Sequence, residues 1–387
     1  MDTKDSPCRL SIGFDAKRAS VNYTGLGNYS RFIIDAVAYF HPEFKLTLYI
    51  PSIPVNALYS PLKDYPQLAE TLPGYSRWSF ICSLWRTFGI ATEAAQDKID
   101  IYHGLSNELP VGLAKRGMKS IVTIHDLIFL HYPEFYKPVD RIIYKWKFCY
   151  ACRTANRIIA VSECTKRDII RFFKIDPDKI EVIYQGCSSV FQIEVSEEEK
   201  ARVKAKYQLP DRFLFSVGSI EPRKNILLGV KALESLPEDI HFVAIGRRTA
   251  YVDEIEAYTA GHQLSSRVHL FHQVEAEDLP IIYHMAHIFI YPSRYEGFGI
   301  PIIEAISAGL PVIAATGSCL EEAGGDACIY ISPDDEKALA EAVLKISADP
   351  ELQKQMVTRS QAYIQRFDKK RVADQVAALY QRVAREE

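Results

Sequence analysis

Two glutamates, Glu296 and Glu304, stand on either side of the predicted start of a helix. An apolar strand ends at Tyr291, a glycine-containing loop follows, and Pro301 opens a helix that stops near Gly309. The helix start offers unpaired N–H groups and a positive dipole end, which suit phosphate. Carboxylates near it are good acceptors for sugar hydroxyls. Spacing alone is equally typical of a capped helix with two solvated glutamates.

A pair of adjacent cations follows an earlier strand, in the segment SVGSIEPRKN. Arg223 offers a rigid fork of donors and Lys224 a mobile point charge, which together suit a diphosphate. The alternative is a solvated charge pair. We favour the functional interpretation because cations at a helix N-terminus oppose the helix dipole and therefore require an anion.

Two further segments give weaker signals. Gly25 and Gly27 lie in TGLGNY at a helix start, but they follow the first strand too late for a dinucleotide fingerprint. His125, in TIHD, stands at the end of a strand, where residues of a cleft are found. A single histidine more often has a structural role than a catalytic one.

These residues are positioned by alternating strands and helices, a pattern that predicts parallel sheets covered on both faces. The predicted strands are Leu10–Phe14, Leu46–Ile50, Ser120–Ile124, Arg157–Val161, Ile180–Tyr184, Phe213–Val217, His241–Ile245, Val268–Phe271, Ile288–Tyr291 and Pro311–Ala314. The predicted helices are Gly27–Phe40, Asp140–Thr154, Thr165–Phe173, Ile226–Leu236, Glu336–Ser347 and Phe367–Arg385.

The two series of strands predict an α/β protein with two Rossmann-like domains. The break falls after Gly186, near a charged stretch that shows no core face. We assign residues 1–190, joined by a C-terminal helix in 367–387, to the first domain and 191–366 to the second. Two such domains facing each other would form a deep cleft for a nucleotide donor and its acceptor.

Composition excludes several classes of protein. The 387 residues are 48% hydrophobic and carry a net charge of −3, so no basic field recruits nucleic acid. The N-terminal residues have no signal-peptide pattern, and no apolar run is long enough to span a membrane. We therefore expect a cytoplasmic protein with free thiols.

Three local patterns each allow a functional interpretation and a purely structural one. Cys149 and Cys152 lie in a helical run without a second ligand pair, which favours two helix cysteines over a zinc or redox site. Residues 75–89 mix aromatic residues with arginines, which suits peripheral contact with the inner face of a membrane, an acceptor loop or simple core. Asp176 and Asp178 flank a proline in a turn, so no obligatory metal is predicted.

The order of these motifs resembles the family 4 glycosyltransferases, which have the two-domain GT-B fold. The segment YPSRYEGFGIPIIEAISAGLPVIAA looks like the Glu-x7-Glu signature of that family, and SVGSIEPRKN looks like its diphosphate-binding segment. The segments TGLGNY, TIHDLIFLHYPEFY and VSECTKRDII fall in the expected order. In SCLEEAGGDACIYISPDD, Glu321 and Glu322 replace the usual Pro-Glu, which leaves the role of Glu322 open.

The resemblance implies a role for each matching residue. Arg223 and Lys224 would hold the donor diphosphate and stabilise the leaving group, and Glu304 would bind the ribose. Glu296 would hold the transferred sugar, and His125 would contact that sugar near the reacting carbon. Further donor contacts are implied at Gly25, Gly27, Ser219, Arg247, Gln273, Val274, Gly297, Phe298 and Gly299.

The resemblance, taken with these features, implies a retaining, metal-independent hexosyltransferase that acts in polysaccharide biosynthesis. The expected donor is GDP-mannose, with a UDP-hexose as the alternative, and the expected acceptor is a saccharide or lipid-linked saccharide. A nucleotide-sugar epimerase and a non-catalytic nucleotide-sugar binding protein remain open. Acceptor-dependent release of a nucleoside diphosphate would separate the transferase from both.

Overall fold

The chain forms two compact units in the computed structural model, which describes residues 10–51, 59, 62, 64–73 and 79–386. One unit runs as far as Gly186 and resumes at Phe367, and the other comprises Cys187–Arg366. Each unit is built on a parallel sheet.

The first unit contains a seven-stranded parallel sheet in the order β3-β2-β1-β4-β5-β6-β7. Its strands are β1 (Ser11–Asp15), β2 (Lys45–Tyr49), β3 (Leu68–Thr71), β4 (Ile101–Gly104), β5 (Lys119–Ile124), β6 (Arg157–Ala160) and β7 (Ile180–Val182). Its helices are α1 (Lys17–Val21), α2 (Gly25–Phe40), α3 (Ser79–Leu84), α4 (Ile90–Gln96), α5 (Ile128–His131), α6 (Pro138–Thr154) and α7 (Glu163–Phe173). A single π turn, Trp85–Gly89, joins α3 to α4.

The central strands of this sheet are buried on both faces, as expected when helices cover a parallel sheet. Every residue of β1 and β4 is buried. By contrast, β3 at the edge of the sheet is partly exposed. This difference explains why β3 does not show an apolar run in the sequence.

The C-terminal helix, α16 (Lys369–Arg385), packs on α2 and completes the core of the first unit. Its apolar face is buried, and the Tyr380 hydroxyl lies 2.7 Å from Nδ1 of His103 in β4. The Nε2 atom of His103 lies 2.9 Å from the Thr123 hydroxyl in β5. A buried polar chain thus ties α16 to the middle of the sheet.

The second unit contains a six-stranded parallel sheet in the order β10-β9-β8-β11-β12-β13. Its strands are β8 (Phe213–Val217), β9 (His241–Ile245), β10 (Val268–Phe271), β11 (Ile288–Tyr291), β12 (Val312–Ala315) and β13 (Ile329–Ile331). Its helices are α8 (Glu197–Tyr207), α9 (Ile226–Ala232), α10 (Tyr251–Gly261), α11 (Asp278–Met285), α12 (Ile300–Ser307), α13 (Leu320–Gly324), α14 (Glu336–Ala348) and α15 (Pro350–Ile364).

The strand order of each sheet reverses once, which fixes where a ligand is expected. In the first unit the reversal lies between β1 and β4, and in the second it lies between β8 and β11. The loops that leave the carboxyl ends of these strands diverge and leave a crevice. The segments with the strongest sequence signals follow β8 and β11.

The aromatic segment 75–89 is only partly described, because residues 75–78 lie outside the described residues. Leu84 and Phe88 are exposed, but Arg86 turns inward and pairs with Asp15. Among the described residues no helix is long and apolar enough to cross a membrane.

Candidate active site

The two strongest motifs of the second unit meet at the reversal of its sheet. After β8 the chain forms a short 3-10 turn, Pro222–Lys224, which ends at Asn225 with a positive φ of 58°. The Asn225 amide donates to the carbonyl of Pro292, at 3.1 Å, in the loop after β11. The backbone N–H of Arg294 donates to the carbonyl of Arg223 at 2.9 Å. The two loops are therefore held together by backbone and amide contacts.

Both cations of the first motif bind one carboxylate of the second. Oε1 of Glu296 lies 2.6 Å from Nζ of Lys224 and 2.8 Å from Nη1 of Arg223. The Lys224 ammonium also donates to the Tyr291 hydroxyl at 2.8 Å, and it lies 5.1 Å from the centre of that ring. Arg223 extends the network by pairing with Glu221 at 2.7 Å. Charged groups from β8 and β11 thus form one hydrogen-bonded cluster.

This cluster keeps its groups ionised despite burial. Burial alone would raise the pKa of Glu296, but the charges of Lys224 and Arg223 outweigh it and lower that pKa to about 2. Burial would lower the pKa of Lys224, and the Glu296 carboxylate reverses that effect, so the pKa is raised. At neutral pH the site holds fixed charges of both signs.

The sequence argument that these cations require an anion is satisfied within the protein. Two cations, Arg223 and Lys224, face two carboxylates, Glu221 and Glu296, so the four groups balance. The side chains of Arg223 and Lys224 are only 13% and 12% exposed. They are preorganised donors rather than mobile surface charges, which is the property that stabilisation of a developing negative charge requires.

Glu304 occupies a different environment, about one turn inside α12. Its Oε2 accepts a hydrogen bond from the buried Tyr283 hydroxyl at 2.9 Å. Burial raises the pKa of Glu304 to about 7, although the Tyr283 hydrogen bond opposes that change. The two glutamates of the motif therefore differ in charge behaviour, since Glu296 is ionised throughout the physiological range and Glu304 titrates within it.

The loop between the two glutamates brings backbone close to the start of α12. Gly299 caps this helix, and a Cβ there would lie 2.8 Å from the Cβ of Ala323. Phe298 is buried, and Gly297 precedes it in the same loop. Pro301 sits in the first turn, and Gly309 beyond the helix end has a φ of 81°. Glycine at position 299 is therefore required by packing against α13.

The residues expected to contact the nucleotide base lie on the loops after β8, β9 and β10. Hydrogen bonds join each of these loops to the next. Gly218 precedes Ser219, and the N–H of Ile220 donates to the carbonyl of Arg247 at 3.2 Å. The N–H of Gly246 donates to the carbonyl of Phe271 at 2.8 Å. Gln273 is exposed and Val274 half-buried in the loop after β10.

Close approach of the first two of these loops depends on glycine. A Cβ on Gly246 would lie 1.7 Å from the carbonyl oxygen of Gly218, and Gly218 itself has a φ of 135°. No other residue type can occupy position 246 without moving the loop that carries Ser219.

His125 lies in the first unit, directly after β5, and its imidazole is buried. Its Nε2 lies 2.8 Å from the carbonyl oxygen of Leu105, and its ring meets that of Tyr29 edge to face at 4.5 Å. Burial lowers the pKa of His125 to about 4, so the ring is neutral at pH 7. Because a carbonyl only accepts, Nε2 carries the proton and Nδ1 is left as an acceptor.

The two glycines at the start of α2 have different surroundings. A Cβ on Gly27 would lie 1.9 Å from the carbonyl oxygen of Asn22, so packing of the chain before α2 explains this glycine. A Cβ on Gly25 would meet no atom within 4 Å. Only Gly25 is left without a structural reason, which makes it the better candidate for close approach to a ligand.

A polar cavity in the first unit was missed by the sequence analysis. Asp15, the last residue of β1, is buried and pairs with Arg86 at 2.5 Å, and Arg86 also pairs with Glu108 at 2.5 Å. The hydroxyl of Tyr102, in β4, is buried and makes no hydrogen bond to the described residues. The position of Asp15 at the end of the first strand was a signal available in the sequence.

This cavity is small, and its enclosed space has room for about one water molecule. Trp146 and Tyr150 of α6 line it together with the charged residues. It lies where the strand order of the first sheet reverses.

The described residues contain no group of three or more histidines, cysteines or acidic residues placed to hold a metal. Cys149 and Cys152 are both free thiols in α6. Burial raises the pKa of Cys152 to about 12, so it is a protonated core residue at neutral pH.

Comparison with known families accounts for both units. Residues 31–189 match the model described as Glycosyltransferase Family 4, and residues 197–363 match the model described as Glycosyl transferases group 1. The O-antigen chain mannosyltransferase B of Escherichia coli is 33% identical over 273 residues, which cover 69% of this chain and 70% of that protein. The O-antigen chain mannosyltransferase RfbU of Salmonella typhimurium is 26% identical over 64% of this chain and 65% of its own length.

Solved structures share the fold. A glycosyltransferase from Rickettsia africae matches 98% of this chain and all of its own, with a TM-score of 0.73 and 18% identity. HepE from Anabaena, in complex with UDP and glucose, matches 96% of this chain and all of its own, with a TM-score of 0.73 and 17% identity.

The fold and the cluster at the second sheet's reversal define a glycosyltransferase of the GT-B class. More narrowly, the chain belongs to glycosyltransferase family 4, also described as group 1. The family resemblance of the sequence motifs is thereby confirmed. The roles of the individual residues remain predictions.

Proposed function

We propose that this enzyme transfers a hexose, with retention, from GDP-mannose to a saccharide or lipid-linked saccharide acceptor during polysaccharide synthesis. The observation that carries the proposal is the buried Arg223–Lys224–Glu296 cluster at the start of the loops after β8 and β11. Its fixed cations suit a diphosphate leaving group, because charge builds on the terminal phosphate as the glycosidic bond breaks.

In this mechanism the donor diphosphate binds beside Arg223 and Lys224. The transferred sugar acquires oxocarbenium character, and the leaving phosphate accepts the proton of the attacking hydroxyl. Glu296 is assigned to the sugar and to positioning both cations, since its pKa of about 2 makes it a poor base. Glu304 is assigned to the ribose hydroxyls. No general base is required of either glutamate.

The neighbouring loops complete the proposed donor site. Ser219 and the backbone of Arg247 are assigned to the diphosphate and base, and Gln273 and Val274 to the other side of the base. Gly297, Phe298 and Gly299 are assigned to the sugar through their backbone. Gly25 and Gly27 in the first unit keep their proposed place near the phosphates or acceptor.

His125 is proposed as a hydrogen-bond acceptor for a hydroxyl of the transferred sugar. A pKa of about 4 makes it neutral during turnover, and the Leu105 carbonyl fixes its proton on Nε2. It therefore acts by orientation and not as an acid at neutral pH.

GDP-mannose is preferred as donor because two relatives, from Escherichia coli and Salmonella typhimurium, are described as mannosyltransferases. A UDP-hexose is the second candidate, since another relative from Escherichia coli, 26% identical, is described as a UDP-Gal-dependent galactosyltransferase. The names of the two mannosyltransferases refer to an O-antigen chain, and that of the galactosyltransferase names a diphosphoundecaprenol-linked sugar as acceptor, which supports a glycan acceptor here.

The proposal is tested by incubating the enzyme with GDP-mannose, with and without a mannose-terminated oligosaccharide acceptor, and measuring GDP and product anomers. Acceptor-dependent release of GDP with an α-linked product is expected. Conversion of the donor sugar without an acceptor would indicate an epimerase, and binding without turnover of any donor would indicate a binding protein. Turnover with UDP-hexoses alone would show that the donor is a UDP-hexose and not GDP-mannose, and would leave the assignment as a glycosyltransferase unchanged.

A further inference from the structure

Helix α6 exposes an apolar stripe to solvent. The exposed fractions are 66% for Val139, 70% for Ile142, 44% for Ile143 and 58% for Trp146. Their spacing of three, four and seven residues puts all four on one face of the helix. A stripe with this spacing normally faces a core.

The core of the first unit already has its own face of α6. Phe148, Ala151 and Cys152 are buried on it. At about 100° per residue these three lie on the side of the helix opposite the exposed stripe. The exposed apolar residues are therefore not the margin of the packed face but a second apolar face.

Cations outnumber carboxylates on this helix. It carries a single carboxylate, Asp140, against four cations, Arg141, Lys145, Lys147 and Arg153. Lys145 and Lys147 flank Trp146 in the sequence and fall on either side of the stripe at helical spacing. Lys145 is exposed, whereas Lys147 is partly buried and lies 3.4 Å from Glu108. We call Val139, Ile142, Ile143, Trp146, Lys145 and Lys147 the basic apolar face.

A second exposed apolar segment lies beside it. Thr87 lines the same cavity as Trp146 and Lys147, and the neighbouring residues Leu84 and Phe88 are 44% and 57% exposed. The apolar surface of the first unit is therefore not confined to a single helix.

We propose that the basic apolar face docks on an anionic lipid bilayer. An apolar stripe inserts among acyl chains while flanking lysines meet negative headgroups, and tryptophan is favoured at that boundary. Charge argues against a second copy of the chain, because a two-fold interface would set this cationic helix against itself. Docking is peripheral, and it goes beyond the proposed sugar transfer because it does not depend on which donor is used.

The position of the basic apolar face on the first unit suggests what membrane docking would achieve. The cavity that contains Asp15, Arg86 and Glu108 opens between α6 and the π turn, and Trp146 belongs to both the cavity and the face. A bilayer held against this face would keep a membrane-anchored saccharide close to the cavity. The same face on a protein with a freely soluble acceptor would have no such benefit.

The test is cosedimentation of the full chain with sucrose-loaded vesicles of phosphatidylcholine containing 30% phosphatidylglycerol, or of phosphatidylcholine alone. The variants are the double substitution Val139→Glu with Ile142→Glu, and the charge reversal Lys145→Glu. The matched controls make the same changes on exposed positions of α14 in the second unit, Leu344→Glu and Lys345→Glu. Thermal unfolding verifies that each variant is folded, and analytical ultracentrifugation reports its association state.

Binding to the anionic vesicles is expected for wild type and both controls, with at least tenfold weaker binding by the α6 variants and loss in high salt. GDP-mannose turnover on a soluble acceptor should be unchanged in all four variants, which separates this inference from the proposed function. The inference is overturned if wild type does not bind anionic vesicles or the α6 variants bind equally. It is also overturned if wild type is a dimer in solution that these substitutions dissociate without vesicle binding.

Discussion

One carboxylate organises the charges of the candidate donor site. Glu296 accepts from both Arg223 and Lys224, so the same carboxylate oxygen holds the two cations in place before any ligand binds. Their residue types and order after a strand were readable from the sequence. Their direct pairing with Glu296 was not, because the partners lie 72 and 73 positions further along the chain.

Removing the ammonium of this cluster should slow catalysis more than it affects folding. Lys224→Ala is expected to lower kcat about 100- to 1000-fold, the usual loss for a preorganised group that stabilises developing charge. Arg223 still pairs with Glu296, so the protein should remain folded. Steady-state kinetics and thermal unfolding measure both effects, with Lys345→Ala as the exposed control. Near-normal turnover by Lys224→Ala would remove the role assigned to this residue.

Glu304 should give stability an unusual dependence on pH. Its folded pKa of about 7 lies above the ordinary value of 4.5. Its contribution is therefore fully present below pH 4.5 and is lost as pH rises through 7, since only the unfolded chain ionises freely there. Wild type should lose roughly 2 kcal/mol relative to Glu304→Gln over that window, allowing for its partial exposure.

Urea unfolding at pH 4.5, 6 and 8 measures this difference. Glu341→Gln, an exposed glutamate of α14, is the matched control and should leave the curve unchanged. Parallel curves for wild type and Glu304→Gln would mean that the pKa of this carboxyl does not change on folding.

At the scale of elements, apolar runs identified most of the strands. Phe213–Val217, His241–Ile245, Val268–Phe271 and Ile288–Tyr291 begin and end where predicted. The strands that were missed are β3, β4 and β13. Two of these are edge strands with partly exposed residues, and β4 is only four residues long and contains His103, so their apolar signal is weak.

The charged stretch near the domain boundary has almost no core face, as its composition predicts, but it is helical: Glu197–Tyr207 forms α8. A capping box between Ser196 and Glu199 starts this helix, and Val203 alone among its residues is buried. Capping, which depends on two polar residues at fixed spacing, was the signal that an apolar pattern could not supply.

Close packing of the loops after β8 and β9 should be sensitive to a single methyl group. Gly246→Ala would place a Cβ 1.7 Å from the Gly218 carbonyl and push the Ser219 loop away. We expect a loss of about 1–3 kcal/mol in unfolding free energy and at least tenfold weaker nucleotide binding.

Gly261→Ala is the control, because a Cβ there meets no atom within 4 Å and the residue ends a helix. It should be neutral or slightly stabilising. Isothermal titration with GDP and thermal unfolding distinguish the two variants. Equal affinity in Gly246→Ala and wild type would place the nucleotide away from these loops.

At the scale of the molecule, two parallel sheets were predicted from the repeated alternation of strands and helices, and the GT-B class is confirmed. The candidate donor-binding residues were predicted from local motifs, since each of these motifs follows a strand. The cavity around Asp15 and Arg86 was not, because its residues come from separate elements and no local pattern joins them. The basic apolar face of α6 was not predicted, because helical periodicity shows that a helix has an apolar face but not whether that face packs in the core or meets solvent.

The central claim is that the second unit, Cys187–Arg366, binds a nucleoside diphosphate through Arg223 and Lys224. It is tested most directly by thermal unfolding of the full chain with GDP, UDP or ADP, for wild type and Lys224→Ala. At 1000 times Kd a ligand stabilises by about 4 kcal/mol, so the correct nucleotide should raise Tm by several degrees. We predict that GDP does so for wild type and much less for Lys224→Ala. The claim is contradicted if no nucleotide raises Tm, or if the shift is the same in both proteins.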